Sequence, residues 1–104
     1  MAWLMLTAAG LLEVVWAYAM KLSDGFTRPL YSIVTLVGMI ASFALLSAAM
    51  RSLPLGTAYT IWTGIGAVGS FVAGLYFLGE PPTPMRIFAA VVIVAGLIMM
   101  KLAS

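Results

Sequence analysis

From Tyr31 to Met50 the chain carries no charged residue, and from Gly56 to Gly79 it again carries none. Uninterrupted apolar stretches of about 20 residues are what a helix needs to cross the hydrocarbon core of a bilayer. Backbone amides in lipid have no water to bond, and these stretches do not alternate as barrel strands must, which leaves helices. Trp3 to Met20 is a third such stretch, apolar apart from Thr7 and Glu13 and closed by Lys21 and the turn-prone Ser23-Asp24-Gly25. A fourth lies between Arg86 and Lys101; its 14 residues are few, but both flanking side chains can snorkel to the interface. The chain therefore reads as an all-α membrane protein, a single transmembrane domain over residues 1–104 with helices at about 3–21, 31–50, 56–79 and 85–103. All five prolines, Pro29 among them, are placed in connectors, where they break no helix. With 64% hydrophobic and 8% charged residues, there is too little polar side chain to cover a water-exposed surface.

Several function classes drop out at once. Cysteine and histidine are absent, which removes disulfides, thiol nucleophiles, imidazole bases and the usual soft-metal ligands; no metal, no cofactor and no enzymatic activity is expected. The net charge of +2 is scattered and forms no basic run, so no nucleic-acid partner is expected. Gly64-Ile65-Gly66-Ala67-Val68-Gly69 spells a dinucleotide fingerprint, but it lies inside an apolar span with no preceding strand. Those glycines are read instead as places where helix three bends or meets a neighbour closely. The first span lacks a positive leading segment and holds a carboxylate at its middle, so it is read as a retained helix and not as a cleaved signal.

Glu13 stands midway along the first span, close to the bilayer midplane. A carboxylate there costs on the order of 2.5 to 3.5 kcal/mol to insert. Two readings follow: a hydrogen-bonded acid that glues helices together, or an ion or proton site, and the cost favours the second because Gln or Ser would make cheaper glue. Trp16 shares its helix face at i+3, and Gly10 at i−3 leaves space on that face. Tyr59 and Trp62 repeat the spacing on helix three, with Gly66 a turn further on. Ser42, at similar depth in helix two, can offer the carboxylate a hydroxyl donor. An acid beside aromatic planes makes a cation site. Trp3, near the end of its span, reads as an interfacial anchor. On helix four, Ala89, Ile93 and Gly96 make a face suited to another helix, in the same chain or in a second copy.

Charge leaves orientation open. Arg51 and Lys101 fall on one side, Lys21, Arg28 and Arg86 on the other, and this balance permits insertion either way; a fixed topology set by other features is the alternative. Transporters with a midplane site commonly combine two inverted halves, and a four-helix chain holds only one. An antiparallel homodimer would supply the second and bring two Glu13 carboxylates into one pocket.

These residues carry a resemblance. Over its whole length the chain resembles the small multidrug resistance family, and within it the guanidinium-exporter branch, through Gly10-Leu11-Leu12-Glu13-Val14-Val15-Trp16, Gly25-Phe26-Thr27-Arg28, and the run from Leu53-Pro54-Leu55-Gly56 through Tyr59-Thr60-Ile61-Trp62 to Gly66. Multidrug members lack a Trp three residues after the Glu, so Trp16 points to the guanidinium branch; Ala89 departs from drug-exporting members, which carry Gly there. The resemblance implies a multi-pass cell-membrane protein, an antiparallel dual-topology homodimer that exchanges protons for guanidinium. It implies Glu13 as the shared proton and substrate site, Tyr59 and Trp62 lining the pocket, and Trp16 with Ser42 orienting the carboxylate. The alternatives are a promiscuous quaternary-ammonium exporter of the same family and a small membrane assembly subunit that transports nothing.

Overall fold

The computed structural model describes all 104 residues as four helices: α1 (Ala2–Leu22), α2 (Pro29–Ala49), α3 (Leu55–Phe77) and α4 (Pro84–Leu102). All four are long and apolar enough to cross a membrane. The segment that looked short becomes a helix of 19 residues, about 28 Å long against a hydrocarbon core of about 30 Å. It gains this length because Pro84 is its first residue, with Thr83 as N-cap accepting the Arg86 N–H. Pro29 likewise opens α2. Both prolines were expected in connectors; they sit in helices at the one turn where a missing N–H leaves no bond unmade.

The turns are built locally. After α1, Asp24, Gly25 and Phe26 all take positive φ, and Ser23 holds the reversal together. Its Oγ donates to the Met20 carbonyl at 2.6 Å and accepts the Phe26 N–H at 3.0 Å, while its carbonyl accepts from the Thr27 and Arg28 amides. After α3, Gly79 takes φ 67° and the Glu80 N–H turns back to the Gly74 carbonyl, so the helix stops at Phe77, two residues before the expected end.

In packing order the helices do not follow the sequence. α1 lies between α2 and α3, which touch each other only slightly, and the backbone of α4 comes near α3 alone. The molecule measures 40 × 34 × 16 Å. A helix with its side chains is about 10–12 Å across, so the protein is a plate and not a closed bundle. Leu6 and Ala9 of α1, Leu46 and Ala49 of α2, and Ala58, Ile61 and Trp62 of α3 form its buried core. No residue of α4 is buried, and Ala89, Ile93 and Gly96 all lie exposed, at the walls of cavities they share with α3 residues such as Ala67. At the other end of α4, Lys101 Nζ sits 5.3 Å from the centre of the Trp3 ring.

Small residues set how closely the helices approach. A Cβ on Gly38 of α2 would stand 3.0 Å from the Trp16 Cβ, and one on Gly10 of α1 would stand 2.6 Å from the Ile65 Cγ2. The space beside Gly10, read from the sequence as part of an ion site, is filled by Ile65. In α3 the fingerprint glycines meet different neighbours, Gly64 facing Leu97 and Gly69 facing Val14. They are contact points of a helix, as their apolar setting implied.

Gly10→Ala is expected to overpack the α1–α3 seam against the β-branched Ile65, with a loss of about 1–3 kcal/mol. Gly56→Ala, in the first turn of α3 with open space around it, should instead gain about 0.5–1 kcal/mol through lower unfolded-state entropy. Reversible unfolding of both variants in mixed detergent micelles measures the contrast, and equal stabilities would contradict this packing.

Candidate functional site

Helix α1 turns Glu13 towards α3, and Gly66 is what admits it: a Cβ there would collide with the Glu13 carboxyl group. Oε1 of Glu13 is buried and has no hydrogen-bond partner. Three residues on, Trp16 Nε1 is in the same condition. In an apolar interior a polar atom without a partner costs free energy of the order of a lost hydrogen bond. These two atoms stand one helical turn apart on α1.

Ser42 has a different position from the one expected of it. Its hydroxyl donates to the Ala9 carbonyl at 2.7 Å and accepts the Trp62 indole N–H at 3.0 Å. A hydroxyl has one hydrogen to give, so the anticipated donation to Glu13 is not made. Ser42 faces the backbone of α1 one turn before the acid, and it takes the carbonyl it meets there. The anticipated Trp16–Glu13 hydrogen bond is likewise not made. What the serine does is tie α1, α2 and α3 together at the depth of the site.

The aromatic residues form a row across three helices. Trp16 meets Phe43 edge-on at 6.4 Å, Phe43 meets Trp62 at 5.7 Å, and Trp62 meets Tyr59 at 5.5 Å. Edge-to-face pairs at these separations are favourable, and they fix the ring orientations. Trp62 is buried in the core while Tyr59 is 53% exposed, so one end of the row is open. Phe43 is the residue that sequence reasoning missed. It stands next to Ser42 in an apolar run, and nothing in spacing or composition separates it from its lipid-facing neighbours.

No cavity of this chain is lined by Glu13. An apolar one of about 480 Å³ has Val14, Tyr18, Tyr31 and Phe77 in its walls and no charged group. The plate formed by one chain thus opens no cavity onto the acid. Chemically, α1 offers one carboxylate with an oxygen unclaimed by the protein and one free indole N–H, that of the ring at one end of the aromatic row. These can hold a proton or an organic cation.

Comparison with known proteins agrees in kind. Residues 1–94 match the family model described as Small Multidrug Resistance protein. A guanidinium exporter of Citrobacter freundii and one of Salmonella typhimurium are each 54% identical to the chain over 104 residues, covering 100% of it and 99% of the relative. A guanidinium exporter of Escherichia coli strain K12 is 52% identical over the same coverage. With these relatives and four apolar spans, the chain is a multi-pass protein of the cell membrane.

Ser42→Ala should strand the Trp62 N–H in the core and destabilise the protein by about 1–3 kcal/mol. In a double-mutant cycle with Trp62→Phe, the second change should cost much less once the first is made. Strictly additive unfolding energies would dismiss the bond.

Proposed function

The chain belongs to the small multidrug resistance family, and on that premise we propose that it exports guanidinium ions in exchange for protons, as an antiparallel homodimer with Glu13 as the shared site. The observation that carries this reading is the Glu13 carboxyl in mid-span, set into the gap at Gly66 with Oε1 unbonded by its own chain. Guanidinium is a flat cation with N–H donors in a fork, and a carboxylate accepts two of them side by side. Trp16, Tyr59 and Trp62 add ring faces over which a delocalised cation is attracted. The names of the relatives supply the direction and the substrate class.

A second copy answers the problem of the plate. The exposed Ala89–Gly96 face of α4 and the open side of the aromatic row are surfaces for it, and the near balance of positive charge across the membrane permits the inverted orientation. Two Glu13 side chains then meet at one pocket, where proton and substrate exclude each other. Inward proton flow drives the cation out if the dimer changes its opening only when occupied. Two protons exchanged for one guanidinium move net charge, so about 2.3 kcal/mol per 100 mV of membrane potential adds to the driving force.

Glu13→Gln should abolish guanidinium binding and guanidinium-driven proton movement in liposomes holding this chain alone, while the protein still assembles. Proton-coupled exchange that survives in that variant removes the reading.

Selectivity rests on Trp16. One turn along α1 from the acid, its indole N–H has no partner in the chain; a donor there serves to hold a carboxylate in plane for a planar ligand, an arrangement a tetraalkylammonium without donors cannot use. Trp16→Gly should lower guanidinium transport and raise tolerance of tetrapropylammonium. A competition assay between the two ions reads this directly; an unchanged preference would show that the ring does not set it.

A further inference from the structure

Away from Glu13, at the end of the span formed by the last turns of α1 and α3 and the first turn of α4, lies a polar cavity of about 320 Å³. Tyr18, Lys21, Ser70, Phe71, Glu80 and Arg86 are among its walls. Here the chain already binds a guanidinium group, that of Arg86. Its Nη1 donates to the Pro81 carbonyl at 2.7 Å, its Nη2 donates to Glu80 Oε1 at 3.3 Å, and its central carbon stands 5.1 Å from the centre of the Phe71 ring. A carbonyl, a carboxylate and an aromatic face recognise the same flat cation whether or not it is attached to a chain.

The path of the connection is set without the arginine. Gly79 takes a positive φ, the Glu80 N–H bonds the Gly74 carbonyl at 3.1 Å, and the Glu80 carboxyl lies over Gly74, where any Cβ would displace it. Phe71 is carried by α3, while the carboxylate takes its hydrogen bond from Arg86. The Arg86 and Glu80 side chains are 36% and 40% exposed, a half-open ion pair of the weak kind that solvent and competing ions can reach.

We infer that the α3–α4 connection contains a second guanidinium site, filled at rest by the head group of Arg86 and able to exchange it for the free ion. One carboxylate faces the cavity, and Lys21 adds a positive charge to it, so only one guanidinium is held at a time. A tethered ligand on a short loop has an effective concentration in the millimolar range, so exchange becomes appreciable only when free guanidinium approaches that level. Exchange frees the first turn of α4 from α3 and Glu80. The inference takes the identity of the free ion from the transport reading above, but its geometry does not involve Glu13.

The test is therefore made in Glu13→Gln protein, where the central site is gone and failure of either reading can be told from failure of the other. Line broadening of isotopically labelled guanidinium is followed in full-length protein in detergent. Adding Arg86→Ala should create saturable binding with a dissociation constant on the order of 1 mM, several-fold tighter than without it. Adding Glu80→Gln as well should abolish that binding, and Phe71→Leu should weaken it about two- to fivefold. Folded Arg86→Ala and Arg86→Ser proteins that bind no better than Glu13→Gln alone would overturn the inference. So would saturable binding of inorganic phosphate in place of guanidinium, which would assign the cavity to lipid headgroups through Lys21. Should both Arg86 variants fail to fold, amide hydrogen exchange over residues 79–86 in the Glu13→Gln protein decides. It should quicken in about 100 mM guanidinium relative to equal sodium chloride, and no difference between the salts would refute exchange.

Discussion

A carboxyl group in the middle of a lipid-spanning helix must be given its place by neighbouring helices, because its own helix offers it no donor and the lipid offers it none either. In this protein that place is the gap at Gly66. The carboxyl of Glu13 occupies the volume a side chain would take on α3, which locks α1 and α3 into one register. Gly10 against Ile65 and Gly69 against Val14 continue the same seam above and below. The close approach that admits the acid is thus also the main contact between the two helices, and neither can change without the other.

The serine clamp completes the arrangement. Ser42 links the Ala9 carbonyl of α1 to the Trp62 indole of α3, so α2 is tied to both at the depth of the site. With every hydrogen-bonding atom of Ser42 and the Trp62 indole N–H engaged, the Glu13 Oε1 and the Trp16 N–H are the buried side-chain atoms left unbonded. Buried polar groups are normally paired, so an exception in mid-span is informative about function in a way that a paired one is not.

The shallow shape of the molecule follows from how α4 is attached. The backbone of α4 comes near α3 alone, with Lys101 reaching the Trp3 ring of α1 at its far end, and its small-residue face is exposed. At its N-terminal end the helix is attached through the Arg86 head group in the Glu80–Pro81–Phe71 cradle. At the span's edge a carboxylate and an aromatic ring thus receive a guanidinium group supplied by the chain itself, whereas in mid-span Glu13 Oε1 receives no partner from the chain.

Much of this was legible in the residues. The four spans were readable because hydropathy and charge spacing are local properties, and α1 and α4 end at Leu22 and Leu102, each within one residue of the expected 21 and 103. The exceptional position of Glu13, and its sharing of a face with Trp16, follow from helical periodicity alone. Proline placement was read one step too cautiously, since Pro29 and Pro84 start helices that their neighbours make possible. What tertiary structure decided was every contact that depends on how two helices are rotated against each other. The sequence determined that Ser42 has a donor at the right depth, but only the packing of α2 on α1 decided that Ala9 receives it. It determined that Gly10 is small, but only the crossing of α1 and α3 decided that Ile65 fills the space. Phe43 and the Arg86 cradle were equally out of reach, because a residue's neighbours across a helix seam are set by rotation and distance, and neither is encoded in the order of residues along one helix.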